Sequence, residues 1–393
     1  MNLFNQQFEL LGQSPTVAMA DKVNYLKEDG VKVIGLQTGD PDFSTPEAIR
    51  DVAATAMKHG HTHYAPSQGL PELRRSISIK LERDNGAIYD PRNEVLVTHG
   101  GIHAYFLALQ AILNPGDEVL IPDPTWATHA NMVMMLRGNV VRVPAPAENG
   151  FLPVLETWQK FVTPRTKAIV INYPSNPTGC YPSSEFYDQL TDFVVRNNIW
   201  VVSDEVYENL FFEKHPISIG SVSGIRNRAI IIQSLSKTYA MTGWRVGYLV
   251  APEIVINNAL KASQNSITCL SPFIQKAAAF ALSDPEIQIL ASGMRDEYSR
   301  RREVVFKIYE KNIPRNLKAV RPKGAFYYFL DFRTLHMKSK EISERILNEC
   351  NVGTVPGSAF GQLGEGFIRM TIAASKEDIK TGFKKILDWA AQF

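Results

Sequence analysis

Short apolar runs alternate with longer helical patterns through the middle of this chain. Residues 94–98 (Glu-Val-Leu-Val-Thr) predict a strand, and the stretch after Gly100-Gly101 predicts a helix with Ala104, Leu107, Ala108 and Ile112 on one face. Asn114-Pro-Gly-Asp117 stops that helix, and 118–121 is the next strand. Further strands are predicted at 168–172, 200–203, 230–233 and 246–250, with a helix through 186–195. Continuous β-branched runs between helices mark strands buried on both faces. The pattern therefore predicts an α/β fold, a mainly parallel central sheet with helices on both faces. Segment 246–250 follows 230–233 so closely that one antiparallel strand fits there.

The last third has a different texture. A long helical stretch over 286–312 leads into the apolar run 325–330 (Ala-Phe-Tyr-Tyr-Phe-Leu), then a helix at 341–351 and a strand at 366–372. Ser375-Lys-Glu-Asp378 resembles a capping box that opens a final helix. Strands and helices look segregated here, as in a smaller α+β domain. The expected division is a large domain over 46–285 and a small one over 286–393, joined by an N-terminal segment, 1–45.

Composition narrows the function. The 393 residues are 45% hydrophobic and 21% charged, with a formal net charge of +2, enough for two substantial cores and without a basic or acidic block. The cluster Arg300, Arg301 and Arg302 sits in the long helical stretch and reads as a solvated face, so nucleic acid is not an expected partner. Three cysteines, Cys180, Cys269 and Cys350, lie far apart without a CxxC, which fits a reducing compartment. The first ten residues lack the apolar core of a secretory signal, and no apolar stretch approaches the roughly 20 residues of a membrane span. A cytoplasmic protein without membrane contact is expected.

Three segments carry chemistry. Lys237 follows the predicted strand 230–233 and lies among Ser234, Leu235, Ser236, Thr238 and Tyr239; strand ends of this kind are where open α/β sheets bind ligands. Two hydroxyls and the Arg245 guanidinium beside it suit a phosphate dianion, and Gly243 and Gly247 allow a close backbone approach. Asp204 ends another apolar strand, where an unpaired carboxylate is costly, and Tyr207 follows three residues on. Arg369 stands inside an apolar strand, an expensive place unless an anion meets it.

Ser-x-Ser-Lys followed by Gly243, Arg245 and Gly247, preceded by Asp204-Glu-Val-Tyr207 and Asn176-Pro-Thr-Gly179, resembles the class I/II pyridoxal-phosphate aminotransferases of fold type I, aspartate/aromatic-type bacterial subgroup. The resemblance spans about residues 15–390 with its motifs in family order. It implies Lys237 as the Schiff-base lysine and proton shuttle of a ping-pong amino transfer between an amino acid and a 2-oxo acid. It implies Ser234, Ser236, Arg245, Gly101 and Ile102 as phosphate contacts, the last two through the N-terminus of a helix. Asp204 would meet the pyridine nitrogen, Tyr207 and Asn176 the ring's 3-hydroxyl oxygen, and Trp126 the ring face. Arg369 and the backbone of Gly39 would hold the substrate's α-carboxylate, with Trp126 and Asn176 beside it. Tyr64 resembles the tyrosine that reaches the neighbouring subunit's phosphate, which implies a homodimer with shared sites. Many relatives carry a polar or basic residue in place of Ile102.

Two rival readings keep the fold: an eliminating lyase acting on C–S or other bonds, and a non-catalytic ligand-binding module. His99, His103 and His129 read as helix-side residues or as supports behind the site, with shaping of specificity the lesser reading. Neither the covering segment 11–16 (Leu-Gly-Gln-Ser-Pro-Thr) nor the partner-facing loop 264–269 contains a cation, which favours neutral or apolar amino donors.

Overall fold

The computed structural model describes residues 11, 12 and 14–393. The leader expectation, which falls on the first ten residues, and Gln13 of the covering segment lie outside the described residues. In chain order the strands are β1 (Ile34–Gly35), β2 (Val95–Thr98), β3 (Glu118–Asp123), β4 (Asn139–Pro144), β5 (Thr166–Asn172) and β6 (Trp200–Asp204). They continue with β7 (Ala229–Ser234), β8 (Gly247–Val250), β9 (Tyr327–Asp331), β10 (Val352–Gly353), β11 (Val355–Pro356) and β12 (Phe367–Thr371). Seven of them form the central sheet in the order β2-β8-β7-β6-β5-β3-β4. Strand β8 is antiparallel to both neighbours, and the remaining pairs are parallel. The six co-directional strands thus end on one edge, at Thr98, Asp123, Pro144, Asn172, Asp204 and Ser234.

The sheet divides two apolar layers by the period-2 alternation of its side chains. Leu120, Ile169, Ile171, Val201 and Ile231 face one layer, where Ile49, Leu73, Ile77, Leu81 and Leu190 from helices 47–58, 71–85 and 184–197 cover them. Val119, Ile121, Val170, Val202 and Ile232 face the other, against Leu107, Ala108 and Ile256 from helices 100–112 and 253–264. Leu107 is fully buried, so truncating it to Ala costs about 2–5 kcal/mol. Strand β4 escaped the sequence reading. It lies at the sheet edge and its residues from Asn139 to Arg142 are exposed or half-buried, so no continuous apolar run betrays it.

A third core gathers the last part of the chain. Tyr298 and Val305 from the helix Pro285–Lys311 pack with Phe326, Tyr328 and Leu330, with Ile368 and Met370 of β12, and with Phe383 and Ile386 of the final helix Lys376–Ala390. The antiparallel sheet β11-β12-β9 lies at its centre. Local signals set the helix starts. Asp284, just before Pro285, accepts hydrogen bonds from the Glu286 and Ile287 N–H groups, and Ser375 Oγ accepts one from the Asp378 N–H while donating to Asp378 Oδ2 at 2.8 Å. Leu36, just after β1, belongs to this third core, so the segment leading to Gly39 is anchored there. Among the described residues no helix is long and apolar enough to cross a membrane.

Candidate active site

A cavity of about 380 Å³ opens where the co-directional strands end. Gly39, Gly101, Ile102, Trp126, Asn176, Asp204, Tyr207, Ser234, Ser236, Lys237, Arg245 and Arg369 all line it. These are the sequence-predicted site residues except Tyr64, which is 88% exposed and lines no part of the cavity. The loop carrying Tyr64 instead packs on the segment after helix 253–264: Ala65 N–H donates to Cys269 Sγ at 3.4 Å, and Gln264 Nε2 to Ser67 Oγ at 2.8 Å. The two segments expected to face a second subunit are therefore neighbours outside this cavity.

Strand β7 delivers the amine. Ser234 ends the strand and caps the short helix Leu235–Thr238, accepting from the Ser236 N–H, so Lys237 points back over the sheet edge. Its Nζ donates to the Gly39 carbonyl at 2.7 Å. Burial lowers the amine's proton affinity to about 8, assisted by Arg245 and Arg369 and opposed by Asp40. A lysine so placed has an accessible neutral form near neutrality, which ordinary lysines lack.

Strand β6 delivers the acid. Asp204 Oδ2 lies 2.9 Å from His129 Nε2, and Oδ1 accepts from the Val206 N–H at 3.2 Å. His129 is fully buried, with its backbone carbonyl held by Tyr105 Oη at 3.0 Å. The sequence offered His129 as one helix-side histidine among three, and nothing in its local pattern marks it as Asp204's partner. His99 and His103 keep to one another: the His99 N–H donates to His103 Nδ1, and burial holds His103 down at about 4, hence neutral. Tyr207 Oη meets Tyr327 Oη at 2.9 Å, and burial raises both phenols. Tyr327 was also missed, because inside an apolar run it reads as core. It walls Gly39 so closely that a Cβ there would stand 1.9 Å from its hydroxyl oxygen.

On the opposite side, β12 places Arg369. Its guanidinium donates to Asn176 Oδ1 at 2.9 Å and to the Gln37 carbonyl at 2.7 Å, and lies 4.3 Å over the Tyr327 ring. Its Nε is buried without a partner, and all its acceptors are neutral. Among the described residues no carboxylate is within salt-bridge distance of Lys237, Arg245 or Arg369. Three cations facing one cavity with their charge unanswered make it an anion site.

The residues fit a flat ring with a phosphate at one end. Arg245 takes a left-handed backbone (φ 53°) and lies against Gly100, where a Cβ would stand 2.7 Å from its Nη2. A Cβ on Gly247 would stand 2.6 Å from the Gly100 carbonyl carbon, so the β2 and β8 ends close tightly around the helix Gly100–Ile112. That N-terminus, the Ser234 and Ser236 hydroxyls and the Arg245 fork supply the donors a phosphate dianion requires. Trp126 offers an aromatic face and Asp204 a carboxylate on the ring side.

Comparison with known proteins agrees with this geometry. Residues 31–386 match the family described as aminotransferase class I and II. The chain is 39% identical to an aspartate aminotransferase of Pyrococcus abyssi, over 94% of this chain and 97% of that protein. It is 39% identical to aromatic-amino-acid aminotransferase 2 of Thermococcus litoralis, over 90% of each chain. Among solved structures, Thermus thermophilus aspartate aminotransferase with maleate superposes with a TM-score of 0.93 at 36% identity, covering 99% of this chain and all of that one.

Proposed function

The chain belongs to the class I and II aminotransferases, and from that premise we propose that it transfers amino groups on pyridoxal phosphate with Lys237 as the reacting amine. The relatives compared above are named as transferases, so the eliminating-lyase reading is set aside. Pyridoxal phosphate, when bound, supplies an aldehyde that takes up the amino group and a ring that withdraws electrons from the adjoining carbon.

The chain's own residues do the rest. Ser234, Ser236, Arg245 and the backbone of Gly101 and Ile102 hold the phosphate, with Tyr64 of a second subunit completing the set in a homodimer. Asp204, oriented by His129, keeps the ring nitrogen protonated, and a protonated ring draws electrons more strongly. Tyr207 and the Asn176 amide donate to the ring oxygen, while Trp126 covers the ring face. Arg369, helped by the Gly39 backbone, binds the substrate's α-carboxylate in a bidentate pair. Lys237 Nζ, once neutral, would take the proton from the substrate's Cα and deliver it to the carbon on the far side of the amino nitrogen, as a positioned general base then acid. An amino acid enters and a 2-oxo acid leaves, and a second 2-oxo acid runs the sequence backwards.

What carries this reading is the pairing of Lys237 and Arg369 in one cavity, each lacking a carboxylate of its own. Thr16, Val17, Ala20 and Ile102 are among the uncharged residues of the wall, which suits neutral or apolar donors. The test is a half-reaction with one amino acid and no acceptor. The expected result is one equivalent of 2-oxo acid and a cofactor left in its amine form, with leucine or phenylalanine reacting faster than aspartate. Release of ammonia instead would overturn the amino-transfer reading, and a preference for aspartate would overturn the donor class alone.

A further inference from the structure

Behind the cavity, on the far side of the turn that carries Asp204 and Tyr207, lies a buried polar cluster that the chemistry above does not use. The turn after β6 sends Asp204, Val206 and Tyr207 into the cavity, while Glu205 and Glu208 point away from it. Glu205 accepts from Ser203 Oγ at 2.9 Å, the Ile219 N–H at 3.0 Å, Ser218 Oγ at 2.7 Å and Gln233 Nε2 at 3.1 Å. Glu208 accepts from Lys80 Nζ, from Asn85 Nδ2 at 2.6 Å and from Gln233 Nε2 at 2.8 Å.

Gln233 stands at the crossing. Its Nε2 serves both glutamates, and its Oε1 accepts from Lys80 Nζ at 2.9 Å and Tyr248 Oη at 2.5 Å. All four hydrogen-bonding positions of the amide are filled, so its orientation is fixed. Gln233 is also the residue before Ser234 on β7, the strand that leads to Lys237. One side chain thus ties the acid-bearing turn, the amine-bearing strand, β8 through Tyr248 and helix 71–85 through Lys80.

Stability alone is a weak reason for such a cluster. Buried ion pairs are often replaceable by apolar residues at no loss, and fixing a register is their best-attested use. Backbone bonds hold the turn at only a few points, the Glu205 N–H to the Ile232 carbonyl of β7 at 2.8 Å and two bonds within the turn, so side chains share in fixing where it sits.

We propose that Gln233, with Lys80, Glu205 and Glu208, is a positioning hub that sets the spacing between the Asp204–Tyr207 turn and the strand that delivers Lys237. The hub rests on the roles given above to Asp204, Tyr207 and Lys237. Loosening it lets Tyr207 withdraw from the ring oxygen, and a lost donor to an anion raises the proton affinity of the amine conjugated to it.

Gln233→Met tests this without adding charge, and Tyr248→Phe removes a single donor to the same amide. Each variant is loaded with pyridoxal phosphate and titrated by the visible absorbance of the lysine-bound cofactor, alongside kcat and KM. The expected result for Gln233→Met is a midpoint raised by about one unit, with kcat down about tenfold and KM changed by less than about threefold. Tyr248→Phe moves the midpoint the same way by less, and decides the matter if Gln233→Met does not fold. A folded variant whose midpoint stays within about 0.2 units and whose kcat stays within about twofold of wild type overturns the hub. Wild-type protein that never develops the visible band overturns the cofactor reading instead, so the two failures are distinct.

Discussion

Lys80 and Lys237 both lie away from bulk solvent, on opposite sides of the same sheet edge. Lys80 is 1% exposed and spends its three donors on Glu208, Asn85 and Gln233. Lys237 has one backbone carbonyl, two neighbouring guanidinium groups and the Asp40 carboxylate nearby without an ion pair. The first amine is fully answered by side chains. The second is left short of negative charge, and burial drives its proton affinity down. The same residue type becomes scaffold in one place and reactive amine in the other, and the difference lies in the partners supplied. Arg369 repeats the second case for a group that cannot lose its proton, and therefore waits for an anion.

Four experiments press on that contrast, the largest effect first. Lys237→Arg keeps the charge but removes the neutral form, so kcat falls by at least about 10³-fold in a steady-state assay. Lys80→Met leaves Glu208 buried without its cation and costs about 3–5 kcal/mol in denaturant unfolding, while Lys237→Met costs less than about 1 kcal/mol because no ion pair is broken. If both cost the same, the contrast fails. Arg369→Lys exchanges a fork for a point charge and raises KM for the amino acid by about 10- to 100-fold, roughly 1.4–2.8 kcal/mol, with a smaller change in kcat. The last experiment changes no residue. With Lys237's proton affinity depressed to about 8 in the folded chain, the unfolded chain holds the extra proton from there up to its ordinary value near 10.4. Stability of the cofactor-free protein therefore gains a positive contribution as pH rises through that window, and Lys237→Met flattens it.

Much of this was legible in the sequence, for a physical reason that also explains the gaps. Strands buried on both faces write continuous β-branched runs, so β2, β3, β5, β6, β7 and β8 were readable, and the short gap between β7 and β8 forecast the antiparallel pair. Edge strand β4 wrote no such run. The predicted residues that gather at the cavity do so because they sit at or near the ends of strands or on β12, and strand ends are what apolar periodicity locates best. Tyr327 and His129 act through partners far along the chain, Tyr207 and Asp204, and a pairing across 120 or 75 residues leaves no local trace. The hub at Gln233 was silent for the same reason, since its partners come from three other elements.

Gly247 is paired on one side with Thr98 and on the other with Ser234. From Thr98 the chain runs on to the Gly100–Gly101 turn, and from Ser234 to Lys237; Arg245 lies two residues before Gly247 itself. One bare position is thus the knot at which three separate stretches of chain are fastened at a common height. Length added to the helices below, or to the loops beyond β4, changes nothing at that knot. The amine and the groups proposed to grip the phosphate are carried as one piece, so the outer parts of the molecule are open to drift while the reacting centre keeps its dimensions.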